Sequence, residues 1–297
     1  MIFIEIVLPV LLVMACGFGL ARYLRADPDP LAKFGLYIAL PALVVKILTD
    51  YPPDGGTIGR LFLFMLAYMG AMWLLAEIFG RLRRFDDSQR RALVLTSAMM
   101  NFGNYGLPLV AFAYGPAAVP FSILFFIVFN IPITTWAVWV AAGGSRSSLT
   151  AMAAALKMPA FHATLVALII SHLGWEIPAF LDKGLGLLAD CAIPVMLVLL
   201  GMQLAQMRTA TDLQGLETVV ALRLLVGPLV GWLLARAFHF SGLELKVIVL
   251  LCATPSAFLP LLYAIRFKCS SEWMAAAILV TTLLSALSLT GVLAIMR

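Results

Sequence analysis

The segment Asn101-Phe102-Gly103-Asn104-Tyr105-Gly106-Leu107-Pro108 constrains the fold of this chain more than any other stretch. It lies inside an apolar run, roughly residues 91–114, which is long enough to cross a bilayer. Two amides, two glycines and a proline within eight residues do not suit a lipid-facing helix. Pro108 offers no N–H, and its ring clashes with the carbonyl of Asn104. Gly103 and Gly106 let the backbone leave helical geometry at little steric cost. Backbone groups freed at membrane depth are tolerated only where protein buries them or a polar cavity receives them. The segment therefore predicts a discontinuous membrane helix at a binding site.

Composition places the rest of the chain in the same environment. Of 297 residues, 63% are apolar and only 12% charged, with a mean hydropathy of +1.04, whereas a soluble domain carries about 25% charged residues. The expectation is an all-α integral membrane protein. The first apolar stretch, Met1–Leu20, has no Lys or Arg ahead of it and contains Glu5. A secretory leader starts positive, so this stretch reads as a retained first span.

Ten apolar runs of spanning length are expected, at 2–23, 31–49, 58–80, 91–114, 117–141, 157–174, 184–206, 217–238, 245–265 and 271–296. Threaded in that order, they put thirteen of the 20 Lys and Arg on one side and six on the other, with Arg223 left out because it falls inside a run. Arg81, Arg83, Arg84, Arg90 and Arg91, between runs 3 and 4, dominate the richer side. Positive charge stays cytoplasmic. The expected protein is thus multi-pass in the cytoplasmic (inner) membrane, with both termini outside. The same bias accounts for the net charge of +5, and no nucleic acid partner is expected.

Five runs on either side of Gly143–Ser148 give an odd number per half, so the halves would be oppositely oriented. Run 2 contains Pro41 and run 7 contains Pro194, each near mid-run. Run 4 contains Pro108, and run 9 contains Thr254-Pro255-Ser256-Ala257-Phe258-Leu259-Pro260. Pro41 and Pro108 are 67 residues apart, Pro194 and Pro260 66. Interrupted apolar runs at matching places in two halves point to an inverted-repeat transporter. The division expected is 1–141 for the first five-helix repeat, 142–156 for a connecting loop and 157–297 for the second.

The pattern N-x-x-N-x-G-x-P that closes Ser97–Pro108 resembles the fourth span of the auxin efflux carrier family. Thr254-Pro255 through Thr281-Thr282-Leu283-Leu284-Ser285 resembles its ninth and tenth spans, and Arg223-Leu224-Leu225 with Pro228 its eighth. The resemblance covers essentially the whole chain. It implies ten transmembrane helices in two inverted five-helix repeats whose broken fourth and ninth spans cross, as in sodium/proton antiporters and bile-acid symporters. It also implies a scaffold of spans 1, 2, 6 and 7, a transport domain of spans 3–5 and 8–10, elevator-type movement, and a possible homodimer through the scaffold. The long central hydrophilic loop of some plant members is missing here.

The residues at the breaks suggest the cargo. Residues 92–114 and 247–265 contain no Asp, Glu, Lys or Arg. If both runs break at mid-membrane, two helix N-termini face one small volume, each carrying about half a positive charge. An organic anion is their natural complement. Asn101, Gly103, Asn104 and Gly106 from run 4, with Thr254 and Ser256 from run 9, are the expected substrate-binding residues. Pro108, Pro255, Pro260, Pro41 and Pro194 are the expected helix breakers. Lys46 either presents a cation to the substrate or reaches to the interface, and Asp190 is a candidate proton relay. Arg223 and Glu77 are expected near span ends.

No metal or cofactor is expected, because the four cysteines and three histidines show no ligand spacing. The sequence contains no G-x-S-x-G, H-E-x-x-H or Walker-type phosphate loop, so neither an enzyme nor an ATP-driven pump is expected. The leading expectation is a secondary transporter of a carboxylate or an auxin-like acid. The alternative is an anion channel or uniporter at the same site.

Overall fold

The computed structural model describes residues 2–144, 158–207 and 214–296. Most of the expected connecting loop, and with it Arg146, Lys157 and Arg208 of the cytoplasmic count, lies outside them, as does Arg297 of the opposite count. Among the described residues the secondary structure is helical, with one isolated antiparallel bridge.

In chain order the helices are α1 (Phe3–Tyr23), α2 (Pro28–Asp50) and α3 (Gly55–Leu82), followed by α4 (Asp87–Ala98), α5 (Leu107–Tyr114), α6 (Val119–Ala141) and α7 (Pro159–Leu173). The second part holds α8 (Ala179–Gln206) and α9 (Leu216–Ala237), then α10 (Gly242–Cys252), α11 (Leu259–Arg266) and α12 (Ser271–Ile295). Among the described residues, six helices are long and apolar enough to cross a membrane, seven if the bent α6 is one span. The expected runs 4 and 9 are each cut in two, into α4 with α5 and α10 with α11, so none of these four pieces reaches spanning length.

Local chemistry sets the boundaries. Asp54 and Asp86 cap α3 and α4 by accepting from the backbone N–H of Thr57 and Gln89, both at 2.8 Å. Asp86 and Gln89 form a full capping box. Four prolines inside helices share one solution. Pro9, Pro41, Pro108 and Pro228 each occupy the second residue after a π-helical turn, at Phe3–Val7, Gly35–Ala39, Phe102–Gly106 and Ala221–Val226. A wider turn accommodates the missing N–H and the ring's demand for space. Pro41 therefore does not divide α2. Near Pro194 the chain makes a turn at Cys191 and helix resumes at Ala192.

The helices associate in two groups. α1 packs on α8, and α2 packs on α7 and α8. The first contact is a backbone seam: a Cβ on Gly17 would lie 2.0 Å from the carbonyl oxygen of Val198, and one on Gly201 would lie 1.9 Å from that of Met14. Small residues permit such approach between membrane helices. In the other group α3 packs on α4, α9 on α10, and α12 on α4 and α11. Here the core is aromatic, with Phe64, Phe125, Phe129 and Phe240 buried around one another. α8 touches the π turn Phe102–Gly106, so the two groups meet at the first break.

Candidate functional site

The two breaks lie against each other. α4 stops at Ala98, and Met99 and Asn101 take non-helical backbone angles. α10 stops at Cys252 and α11 starts at Leu259. Across the gap Met100 opposes Ser256 in the antiparallel bridge. The Asn101 N–H donates to the Pro255 carbonyl at 2.8 Å, and the Ala257 N–H donates to the Met99 carbonyl at 2.9 Å. Each interrupted helix thus satisfies backbone groups that the other leaves open, which buried backbone requires.

A cavity of about 460 Å³ opens beside this contact. One wall comes from α2 and α8, through Tyr37, Leu40, Leu199 and Gln203. The other comes from the breaks and α6, through residues 99–104, residues 257–260, Phe126 and Asn130. The π turn that leads into α5 and the start of α11 face it, at Phe102-Gly103-Asn104 and at Phe258-Leu259-Pro260. The first N–H groups of a helix have no partner within it, so these turns bring donors and partial positive charge to the cavity. Asn101 is 6% exposed, lines the cavity, and its Nδ2 has no hydrogen-bond partner among the described residues. Gln203 Oε1 is likewise buried without a partner. Among the described residues, no Asp, Glu, Lys, Arg or His lines the cavity.

The expected substrate residues divide. Asn101, Gly103 and Asn104 line the cavity. Gly106 lies behind it, where an added Cβ would come 2.6 Å from Leu251 Cδ2, so this glycine sets the closeness of the two broken helices. Thr254 and Ser256 do not line it, and both are fully buried. The Thr254 hydroxyl donates to the Leu251 carbonyl at 2.6 Å, and the Ser256 hydroxyl to the Thr96 carbonyl at 2.7 Å. Of the prolines, Pro255 supplies the bridging carbonyl and Pro260 lines the cavity. Pro108 sits beyond the break, inside the first turn of α5.

Lys46 and Asp190 also lie outside the cavity lining. Lys46 Nζ binds Asp182 at 2.7 Å and Asp50 at 3.2 Å, tying α2 to α8. Asp190 is exposed on α8. Glu77 pairs with Arg81 at 2.8 Å and reaches Arg90 at 3.8 Å.

Arg223 corrects the sequence reading. It is not near a span end; it is fully buried within α9, on the π turn that precedes Pro228. Its Nε donates to the Thr254 carbonyl at 3.0 Å and its Nη1 to the Ser97 carbonyl at 2.8 Å. Nη2 donates to the Tyr68 hydroxyl at 2.9 Å and to the Cys252 carbonyl. One guanidinium thereby clasps the ends of α4 and α10 to α9 and α3. The sequence signals were a lone arginine in a long apolar run and the resemblance of Arg223-Leu224-Leu225 with Pro228 to a family span. Its acceptors are backbone carbonyls 29, 31 and 126 residues away, which no side-chain pattern encodes.

Long apolar helices and two facing breaks beside a cavity define a multi-pass membrane transporter. The chain belongs to the membrane transport protein family, that of the auxin efflux carriers, whose model matches residues 2–150 and 144–293. It is 28% identical to an "Uncharacterized transporter" of Methanothermobacter thermautotrophicus over 96% of this chain and 95% of that one. It is 27% identical to a "Putative malonate transporter" of Rhizobium meliloti, over 98% and 95% of the two chains. The "Uncharacterized transporter YfdV" of Escherichia coli K12 is 26% identical over 95% and 93%.

Proposed function

We propose that this chain is a secondary carrier of a small organic anion, bound where the breaks of α4–α5 and α10–α11 meet. The observation that carries the reading is the convergence of two helix N-termini and the unpartnered Asn101 amide on one cavity to which the described residues bring no fixed charge. Donors without a counter-ion suit an anion arriving from water. Asn101, Gly103 and Asn104 are the ligand-facing residues in this reading; Gly106, Thr254 and Ser256 hold the breaks in register.

The reading includes ten membrane crossings in two inverted halves, with the broken pairs counting as one crossing each. α1, α2, α7 and α8 form the scaffold, and the remaining helices form the moving domain. The cavity lies along the boundary between these groups, which is where an elevator-type displacement would expose it alternately to either side. The protein sits in the cytoplasmic membrane with both termini outside, and dimerises through the scaffold. Malonate, named for one relative, is the first substrate to test.

The deciding experiment is counterflow in proteoliposomes. A carrier loaded with unlabelled anion accumulates labelled anion transiently and saturates with concentration. A flux that rises linearly with concentration and shows no counterflow would identify a channel instead.

A further inference from the structure

Arg223 fills a pocket that its own helix holds open. A Cβ on Gly227 would lie 3.0 Å from Arg223 Nη2 and 3.2 Å from the Tyr68 hydroxyl oxygen, and one on Gly231 would lie 2.6 Å from Cys252 Cβ. The first glycine leaves room for the guanidinium; the second lets the end of α10 come close to α9. The guanidinium meets carbonyls that have run out of helix. At the end of α4 the Leu95 carbonyl accepts from the Met99 N–H at 3.3 Å and the Thr96 carbonyl from the Ser256 hydroxyl at 2.7 Å, while the Ser97 carbonyl goes to Arg223. At the end of α10 the Leu251 carbonyl accepts from the Thr254 hydroxyl at 2.6 Å, and the carbonyls of Cys252 and Thr254 go to Arg223. Helix C-termini leave carbonyls open, and at membrane depth no water takes them up. One side chain thus caps two helices. It spends four N–H donors, one on Nε, one on Nη1 and two on Nη2. A planar fork of donors can do this; an ammonium, with its three donors on one nitrogen, cannot meet four spread acceptors.

The clasp lies wholly within the helix group that holds both breaks. Its described partners come from α3 through Tyr68, from α4 through Ser97, and from the end of α10 through Cys252 and Thr254. From Ser97 the chain runs through Met99 to Asn101, whose N–H binds the Pro255 carbonyl beside Thr254. Where the guanidinium holds Ser97 against Thr254 therefore sets where Asn101 and Asn104 stand at the cavity wall. We propose that Arg223 is a positioning residue, a tethered guanidinium in a cage of carbonyls that keeps the two breaks in one register, and that the cage takes a free guanidinium ion once the side chain is cut away. The cage stands apart from the carrier reading; the effect of its loss on transport rests on that reading.

The test is chemical rescue of Arg223→Ala in the full-length protein. In detergent the variant should melt about 10 °C below the wild type, because several charge-assisted hydrogen bonds go at once. Millimolar guanidinium chloride should return about half of that loss, as a ligand of the folded state alone does, and should leave the wild type unmoved. Sodium chloride at the same ionic strength should return nothing. No guanidinium effect on the variant, an equal effect on the wild type, or equal rescue by sodium overturns the proposal. In proteoliposomes the KM of the variant for malonate counterflow should rise about tenfold, the loss expected when one hydrogen bond to a charged ligand is misplaced. Guanidinium on both sides of the bilayer should bring it back. A clasp that only keeps the protein folded would lower the maximal rate at unchanged KM, and that result overturns the positioning role. If Arg223→Ala does not fold, Arg223→Lys decides. It keeps the charge without the fork, so it should melt lower than the wild type and raise KM about threefold or more; wild-type values for both overturn the proposal. If the wild type itself shows no malonate counterflow, the carrier reading for that anion falls, and the melting rescue alone decides the cage.

Discussion

The two helix breaks meet in one antiparallel contact, yet they are built for different work. The first turns its amides outward: Asn101 and Asn104 line the cavity, and the Asn101 donor has no partner among the described residues. The second turns its polar side chains inward. Thr254 and Ser256 give their hydroxyls to backbone carbonyls, and the Ser256 N–H is held by Thr281 Oγ1 at 3.3 Å. The second break is also where Arg223 grips two of its carbonyl acceptors, on Cys252 and Thr254. The difference teaches that a matched pair of interruptions need not make a matched pair of binding surfaces. One side can hold the ligand while the other holds the geometry.

Substitutions can break or sharpen that contrast. The largest effect is expected from the first break. Replacing Asn101 or Asn104 by Ala removes a hydrogen bond to a charged ligand, worth about 1.5–3 kcal/mol. Anion affinity should fall about ten- to hundredfold, with the melting temperature little changed. Binding calorimetry beside a thermal scan checks this; unaltered affinity in both variants would show that the first break is not the ligand face.

Next comes Gly106→Ala, at the place where the breaks press together. The added methyl meets Leu251 and should destabilise the protein by about 1–3 kcal/mol, as overpacking does. Denaturant titration in detergent reads it.

Ser256→Ala tests the second break. The Thr96 carbonyl loses a donor, and stability should drop by about 1 kcal/mol. The affinity for anion should stay within about twofold, given that Ser256 is off the cavity. A large affinity loss at unchanged stability would make the two breaks equivalent after all.

The smallest effect is expected from Pro108→Ala. Helix geometry is already established around residue 108 by the π turn before it, so the break at residues 99–101 should persist. Transport should slow by no more than a few-fold, the loss of turn preorganisation being modest. Abolished transport in a folded variant would return the break to the proline.

Much of the architecture can be read along the chain because its causes are local. Hydrophobic length, the two glycines and the proline of Asn101–Pro108, the two prolines of Thr254–Pro260, and the absence of charge across both stretches mark where membrane helices are interrupted. These depend on what a backbone can do without water and on what a proline ring excludes, both properties of neighbouring residues. The facing of side chains is not local. Nothing within a few residues of Ser256 says that its hydroxyl finds the Thr96 carbonyl 160 residues away, or that Lys46 finds Asp182 across 136 residues. Arg223 is the sharpest case. Along the chain it is one cation in an apolar run, and in space it is fully buried, bound to three distant carbonyls and the Tyr68 hydroxyl. The sequence by itself determined that this is a membrane protein with two broken helices. Only the packing of those helices decided which amides meet the cavity and which cation stands behind it, because hydrogen bonds to distant backbone leave no periodicity to read.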